Sequence, residues 1–224
     1  QSADGEGLPL PYRSRLMSAP LSTAPPPPTG RRRWLGLAVL SLGVSMIIVD
    51  ATVVNVAIPT IIRDLGLRGT DAEWLNTIYS LVFAALLISV GRAGDRWGRR
   101  LFFLGGVAVF VLSSLWAARA GSPQSLIASR FVQGIGGAMI LPATLSSVNA
   151  MFRGTARAIA FGVWGSVIGG MAALGPLLGG YLTTEHSWRW IFYINLPIGI
   201  LVAVASLFLV PETRDTSARR GVDP

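Results

Sequence analysis

An aspartate and an arginine stand inside long apolar stretches of the sequence, where charges are unusual. Asp50 lies nine residues before Pro59 in the first of these stretches, and Arg130 lies close to the beginning of the fourth. A charge deep in a bilayer costs at least about 2.5–3.5 kcal/mol, so it normally faces a cavity or a partner. Because desolvation disfavours a charged carboxylate, Asp50 is predicted to take up and release a proton near neutral pH. A structural carboxylate that is bonded to neighbouring helices is the alternative interpretation.

Six apolar stretches make up most of the chain. They cover residues 34–59, 74–91, 101–118, 126–148, 158–182 and 191–210. Each is near the ~20 residues that a helix needs to cross ~30 Å of hydrocarbon. Only 13% of the residues are charged, whereas a soluble domain has about a quarter. The sequence therefore predicts an all-α integral membrane protein, with a bundle of six transmembrane helices over residues 31–210.

The two ends of the chain have a different composition. Residues 1–30 are polar and contain the run Pro25–Pro28, which is typical of a disordered tail. Met17 is a candidate initiator, in which case residues 1–16 lie upstream of the true start. Residues 211–224 are predicted to form a second polar tail or the beginning of a linker.

The placement of the arginines predicts the orientation in the membrane. With the N-terminus in the cytoplasm, fourteen arginines fall on the cytoplasmic side. Four fall on the outer side, namely Arg63, Arg68, Arg119 and Arg189. Basic residues concentrate in cytoplasmic loops, so a multi-pass protein of the plasma membrane with both termini in the cytoplasm is predicted.

Arg130 has three interpretations under this orientation. Its side chain leans toward the N-terminus of its helix, which is the outer end, whereas the side chain of Asp50 leans inward. Snorkelling of the guanidinium to the outer interface therefore explains Arg130 about as well as pairing inside the membrane does. A direct ion pair with Asp50 is the third interpretation.

Composition excludes several classes of function. The chain has no cysteine and a single histidine, His186, in a short polar loop, which excludes thiol nucleophiles, disulfides and histidine metal clusters. Without paired intramembrane acids, few catalytic groups remain, so we expect no enzyme activity, no metal and no cofactor, with protons as the coupling ion. The basic residues are all arginines in the gaps between apolar segments, which indicates a membrane and not nucleic acid as the partner.

The segment between the second and third stretches has a distinctive pattern. It reads Gly91-Arg92-Ala93-Gly94-Asp95-Arg96-Trp97-Gly98-Arg99-Arg100. This resembles the signature loop of the major facilitator superfamily, Gly-x-x-x-Asp-Arg-x-Gly-Arg-Arg. Glycines permit a tight turn and close backbone approach, and Asp95 can meet arginines or a helix N-terminus. A simple topology anchor is the alternative. The resemblance implies a cytoplasmic latch, which closes against a C-terminal half and comprises Gly91, Asp95, Arg96, Gly98, Arg99 and Arg100.

Three further motifs narrow the resemblance to the fourteen-helix drug:proton antiporters of the EmrB/QacA type. They occupy residues 49–59 in the first stretch, 127–137 in the fourth and 187–197 at the start of the sixth. In that family the fourth-helix arginine, here Arg130, is implicated in proton transfer. The resemblance covers roughly residues 31–224 and implies the N-terminal six-helix portion of such a transporter.

The fifth stretch is similar to the antiporter motif of the same family. Small residues at four-residue spacing, Gly162, Ser166 and Gly170, let helices approach closely, and Pro176 permits a bend. The family usually has glycine where Met171 stands. Ordinary small-residue packing is the alternative, and it is also the expected mechanical role. The residues assigned to this motif are Gly162, Gly175, Pro176, Gly179 and Gly180.

The resemblance implies proton-coupled drug efflux, and therefore antibiotic resistance, with Asp50 and Arg130 as the proton-coupling residues. The expected partners are the lipid bilayer, a lipophilic or cationic drug-like compound, and a C-terminal half without which the chain is not expected to transport. A non-transporting membrane module that dimerises or pairs with a partner half is the alternative. Polar residues in membranes usually face inward, although helix-packing bonds explain them equally. The candidate cavity-lining residues are Asn55, Asn76, Tyr79 and Gln133.

Overall fold

The structure, a computed structural model, describes residues 30–211. This part of the chain contains seven helices. They are α1 (Arg31–Leu65), α2 (Gly69–Trp97), α3 (Arg99–Ala118), α4 (Pro123–Met151), α5 (Gly154–Glu185), α6 (Trp190–Tyr193) and α7 (Asn195–Leu209). Six spans are long and apolar enough to cross a membrane, with α6 and α7 together forming the sixth. The prediction of an all-α, six-span bundle is therefore confirmed. The predicted tails, residues 1–30 and 211–224, lie outside the described residues except at Gly30 and Pro211.

The first helix is longer than the sequence pattern suggested. It continues through Pro59 and ends at Leu65, where Gly66 adopts a left-handed conformation with φ 62° and donates its N–H to the carbonyl of Ile62. A proline removes one helical hydrogen bond, but a transmembrane helix can continue through it because neighbouring helices help to satisfy the freed backbone group. Ile61, beyond the proline, is fully buried, so packing continues the helix past the predicted end.

Helix α1 lies at the centre of the bundle. It packs mainly against α5 and α7, while α4 packs mainly against α3 and α2. One apolar cluster fills one half of the bundle around Phe103 and Phe110, and a second fills the half near Trp188 and Phe192. The middle of α1, which carries Asp50, therefore lies between two apolar layers and far from both helix ends.

Glycines bring α4 unusually close to its two neighbours. A Cβ atom at Gly134 would lie 2.8 Å from the backbone oxygen of Tyr79 on α2. A Cβ atom at Gly136 would lie 2.8 Å from the backbone nitrogen of Phe110 on α3. Such contacts are possible only without side chains, as small-residue packing in membranes allows. They bring α2 and α3 against the helix that carries Arg130.

Large apolar side chains cover the outside of the bundle. Ile88, Leu177 and Phe208 are 71%, 71% and 69% exposed. Water-soluble proteins rarely expose contiguous apolar surface on this scale. The exposed helices α2 and α5 are thus suited to contact with lipid or with other apolar helices.

Candidate functional site

The carboxylate of Asp50 is buried in the middle of α1 and is held by three donors. The side chain is 1% exposed. Its Oδ2 accepts from Nη1 of Arg130 at 2.5 Å. Its Oδ1 accepts from Nε2 of Gln133 at 2.8 Å and from Nδ2 of Asn195 at 3.1 Å. Both oxygens are therefore paired with donors, as buried polar groups in folded proteins generally are.

Arg130 forms the direct ion pair with Asp50, which was the third interpretation of its role. It is 0% exposed, so its guanidinium does not snorkel to the outer interface. Its Nε donates to the backbone oxygen of Leu75 at 3.3 Å, and its Cζ lies 4.2 Å from the ring centre of Tyr79. The close approach of α2 supplies both contacts, and together with Asp50 they compensate the buried cation.

Gln133 connects the ion pair to a hydroxyl on α3. Its Oε1 accepts from Nη1 of Arg130 at 2.6 Å, and its Nε2 donates to Oγ of Ser114 at 2.9 Å. It lies one helical turn after Arg130, so the two side chains share one face of α4. The amide therefore uses its acceptor on the cation and its donors on the carboxylate and the hydroxyl.

Two members of the site were not among the predicted residues. Asn195, the first residue of α7, donates to Asp50 and also to Oγ of Ser114 at 3.2 Å. Ser114 is 0% exposed, and its hydroxyl donates to the carbonyl of Phe110 at 2.8 Å. Asn195 could have been found as a polar residue inside the sixth apolar stretch. No sequence signal distinguishes Ser114 from its neighbour Ser113.

The four candidate cavity-lining residues divide into two pairs. Gln133 and Tyr79 are 0% and 4% exposed and lie within or against the ion-pair network, so they do not line an open cavity. Tyr79 is covered by α4, and Gln133, which is on α4, is covered by the helices that carry Asp50 and Ser114. Asn55 is exposed and accepts at Oδ1 from Nδ2 of Asn76 at 2.5 Å, which links α1 to α2. Of these two asparagines, Asn76 lines an open groove of about 420 Å³, together with Ile58, Ala72, Glu73 and Thr77.

The predicted latch is mainly helical and not a loop. Helix α2 extends to Trp97, α3 begins at Arg99, and only Gly98 separates them, with φ 123°. A single glycine suffices because it alone adopts that φ without strain. Gly91 contacts α4, since a Cβ atom there would lie 3.2 Å from Cβ of Pro142.

Asp95 contacts one arginine, which is the kind of partner expected of it, and also a serine. Its Oδ1 accepts from Nε of Arg99 at 2.8 Å and from Oγ of Ser146 at 3.1 Å. Arg99 also donates to the backbone oxygen of Ser146 at 3.3 Å. The group therefore connects the α2–α3 corner to α4, while Arg96 is exposed and Arg100 is half-buried.

The packing motif of α5 divides into a buried and an open part. A Cβ atom at Gly175 would overlap Oγ1 of Thr52, and one at Gly179 would lie 3.1 Å from the backbone oxygen of Val53. These two glycines, on either side of Pro176, seat α5 on α1 beside Asp50. Gly162, Gly170 and Gly180 have no atom of another described residue within reach of a Cβ. The expected close approach at Gly162 is therefore not made within the described bundle.

A second polar cluster joins three elements at the end of α1. Oδ2 of Asp64 accepts from Nε1 of Trp188 at 2.8 Å and from Nη1 of Arg189 at 2.7 Å. Arg189 also donates to the backbone oxygen of Ala120 at 3.4 Å, and its Cζ lies 4.4 Å from the ring centre of Trp188. The cluster fixes the start of the sixth span, and hence Asn195, relative to α1.

A bundle of six apolar spans around a buried acid–base pair has the architecture of a secondary transporter. The family model described as Major Facilitator Superfamily matches residues 33–223. The chain belongs to this superfamily.

Proteins similar to this chain include drug resistance proteins. The puromycin resistance protein pur8 of Streptomyces alboniger is 42% identical over 186 residues, which cover 83% of this chain and 37% of that protein. The multidrug efflux pump LfrA of Mycolicibacterium smegmatis is 41% identical over 188 residues, 84% of this chain and 37% of that protein. The chain thus spans little more than a third of the length of these curated relatives.

A solved structure has the same fold. It is a bacterial homologue of the human lysosomal transporter Spinster, in an inward-facing and unoccupied conformation. The TM-score is 0.67 at 19% identity, over 88% of this chain and 48% of that chain. At this identity the likeness extends to the fold alone.

Proposed function

We propose that this chain is the N-terminal six-helix bundle of a proton-coupled antiporter that exports lipophilic or cationic compounds across the plasma membrane. The observation that carries the proposal is the fully buried ion pair of Asp50 and Arg130 at the centre of the bundle. Ionisable residues in such positions mark proton and ion pathways. The names of the relatives, which denote puromycin resistance and multidrug efflux, agree with export.

Proton exchange at Asp50 changes the charge balance of the site. With the carboxylate ionised, its charge offsets that of Arg130, and the pair stays in the dry interior. A proton on Asp50 leaves the guanidinium without a counter-ion, and breaking a buried pair in this way costs about 3–5 kcal/mol. The cost is lower where water reaches the site. Proton binding therefore favours a conformation of the bundle in which the site is open.

The groove between α1 and α2 is our candidate for part of the substrate path. Its wall combines apolar side chains with the carboxylate of Glu73 and the amide of Asn76. Pockets for drug-like ligands are mainly apolar with a few polar groups that fix orientation. Such a wall suits a lipophilic cation.

The Asp95–Arg99–Ser146 group is our candidate for the cytoplasmic latch. It lies at the α2–α3 corner. The arginine distribution in the sequence favours a cytoplasmic location for this corner and for both termini. A bundle that rocks against a second bundle needs contacts that form in one conformation and break in the other. The proposed partner of the latch is the C-terminal half of the transporter.

The test of the proposal is Asp50→Asn in the complete polypeptide that the gene encodes, reconstituted in liposomes. We expect proton-driven ethidium transport and its pH dependence to be lost, because the amide neither carries the charge nor exchanges the proton. Asp71→Asn is the control. Within the described part of the chain, the one hydrogen bond of the Asp71 side chain is accepted from the backbone N–H of Arg68, at 3.1 Å, and asparagine keeps an acceptor. Unaltered pumping and pH response in Asp50→Asn would refute the proposed function.

A further inference from the structure

Asp50 has two kinds of partner, and only one of them is charged. Besides Arg130, the carboxylate contacts the amides of Gln133 and Asn195 through Oδ1. The same two amide nitrogens lie 2.9 and 3.2 Å from Oγ of Ser114. One carboxylate oxygen and one hydroxyl oxygen are thus bridged twice, by amides from α4 and from α7.

The direction of each hydrogen bond in this ring is determined. The hydroxyl proton of Ser114 is directed at the carbonyl of Phe110, so its oxygen faces the two amides as an acceptor. The Oε1 of Gln133 is occupied by Arg130. The amide nitrogens of Gln133 and Asn195 therefore point at Oδ1 of Asp50 as donors.

In this orientation every donor points at an oxygen of the Asp50 carboxylate. A proton on Oδ1 would face two N–H donors, and a proton on Oδ2 would face the guanidinium of Arg130. Either position forces at least one donor to leave its acceptor. A proton on Oδ2 would leave the two amide bonds to Oδ1 in place, but as bonds to a neutral carboxyl group. Because hydrogen bonds to an ionised acceptor are stronger than those to a neutral one, the amide donors favour the charged form.

We propose that Asn195 and Ser114 are positioning residues of the proton site, which set the pH at which Asp50 takes up its proton. Asn195 does this by direct donation to the carboxylate, and Ser114 does it by orienting both amides. The inference rests on the proposed function, in which Asp50 is the proton-exchanging group. It gives α3 and α7 a role in proton coupling, in addition to that of the charged pair on α1 and α4.

The charged surroundings of Asp50 allow this effect to be isolated. Among residues 30–211, the ionisable groups near it are Arg130 from α4 and, on the far side of the guanidinium, Tyr79 from α2. The contacts from α3 and α7 are neutral, and α5 packs on α1 here through Gly175. Substitution of a neutral partner therefore leaves the nearby charges in place. A change in the pH response then reports the lost hydrogen bonds.

The experiment is an infrared titration of the purified complete polypeptide, in which the carboxyl band of Asp50 is identified by its loss in Asp50→Asn. In Asn195→Leu we expect the midpoint of protonation to move up by about one pH unit, because a hydrogen bond to a charged group is worth roughly a tenfold change in proton affinity. In Ser114→Ala we expect a smaller shift in the same direction. The pH profile of ethidium transport should move with the band.

Ser113→Ala is the matched control. Ser113 is buried on the same helix and donates to the same carbonyl of Phe110, at 3.0 Å, but contacts neither amide. It should leave the midpoint unchanged. Midpoints in Ser114→Ala and Asn195→Leu that equal the wild-type value would overturn the inference, and Ser114→Ala decides if Asn195→Leu does not fold. Because the band is measured without transport, a shifted midpoint in a protein that does not pump would count against the proposed function alone.

Discussion

Replacement of Gly175 by alanine tests the contact that seats α5 beside the proposed proton site. The new methyl group would overlap Oγ1 of Thr52 and would lie 2.8 Å from its Cβ. Thr52 cannot simply rotate, because its hydroxyl donates to the carbonyls of Ile48 and Val49, each at 3.0 Å. Either α5 moves away from α1 or Thr52 gives up these bonds. Both outcomes disturb the helix that carries Asp50.

The expected magnitude follows from two opposing terms. Overpacking of a close contact costs about 1–3 kcal/mol. Alanine in place of glycine within a helix returns up to about 1 kcal/mol. At Gly162, on the same helix, a methyl group would meet no described atom, so only the second term applies. The free energies of unfolding of Gly175→Ala and Gly162→Ala should therefore differ by about 1–3 kcal/mol, or roughly 2–12 °C in melting temperature at 2–4 °C per kcal/mol.

Thermal unfolding of the purified variants in detergent measures this difference. Gly175→Ala should melt below the wild type, and Gly162→Ala should melt at or above it. Addition of Thr52→Ala should restore only part of the loss, since the Cβ contact at 2.8 Å remains. If the two glycine variants melt together, α5 does not approach α1 as closely as described, and the reasoning fails.

Two further predictions concern the chain as a membrane protein. The 224 residues contain no cysteine, so single cysteines in place of the exposed residues Thr155 and Gly121 test the orientation in the membrane. In intact cells, a membrane-impermeant maleimide should label Gly121→Cys and should not label Thr155→Cys. The reverse pattern would contradict the proposed topology. Residues 17–224 alone, expressed in cells or vesicles, should show no proton-driven ethidium efflux, because alternating access needs two bundles; efflux by this segment would contradict the need for a C-terminal half.

The number of spans and the depth of Asp50 could be predicted because both follow from composition along one dimension. Apolar runs of membrane length need no knowledge of neighbours. The partner of Arg130 could not be predicted in this way, since the lean of its side chain favours the outer interface. The position of Arg130 depends on the close contact of α4 with α2 at Gly134 and with α3 at Gly136, because these contacts surround the arginine with packed helices. The spacing of glycines in a sequence suggests close packing, but it does not show which helix packs against the glycines.

The remaining differences from the sequence interpretation also arise from tertiary contacts. Ser113 and Ser114 donate to the same carbonyl, and only the packing of α4 and α7 against α3 selects Ser114 for the site. The segment 91–100 was interpreted as a loop because of its glycines and charges. Only Gly98 needs a positive φ, so the helices continue almost to it from both sides.

In the proposed function, the distribution of the Asp50 contacts over several helices couples proton affinity to the shape of the bundle. The donors come from α4 and α7, and the serine that orients them belongs to α3. A movement of α7 or α3 relative to α1 by more than about an ångström breaks bonds of this length and weakens the hold on the ionised carboxylate. By linkage, a proton on Asp50 must favour the bundle conformations in which those bonds are already broken, to the same extent in free energy. With an ion pair alone, the proton affinity would depend only on the relative position of the two helices that carry the pair. At this site it depends on the position of the sixth span as well.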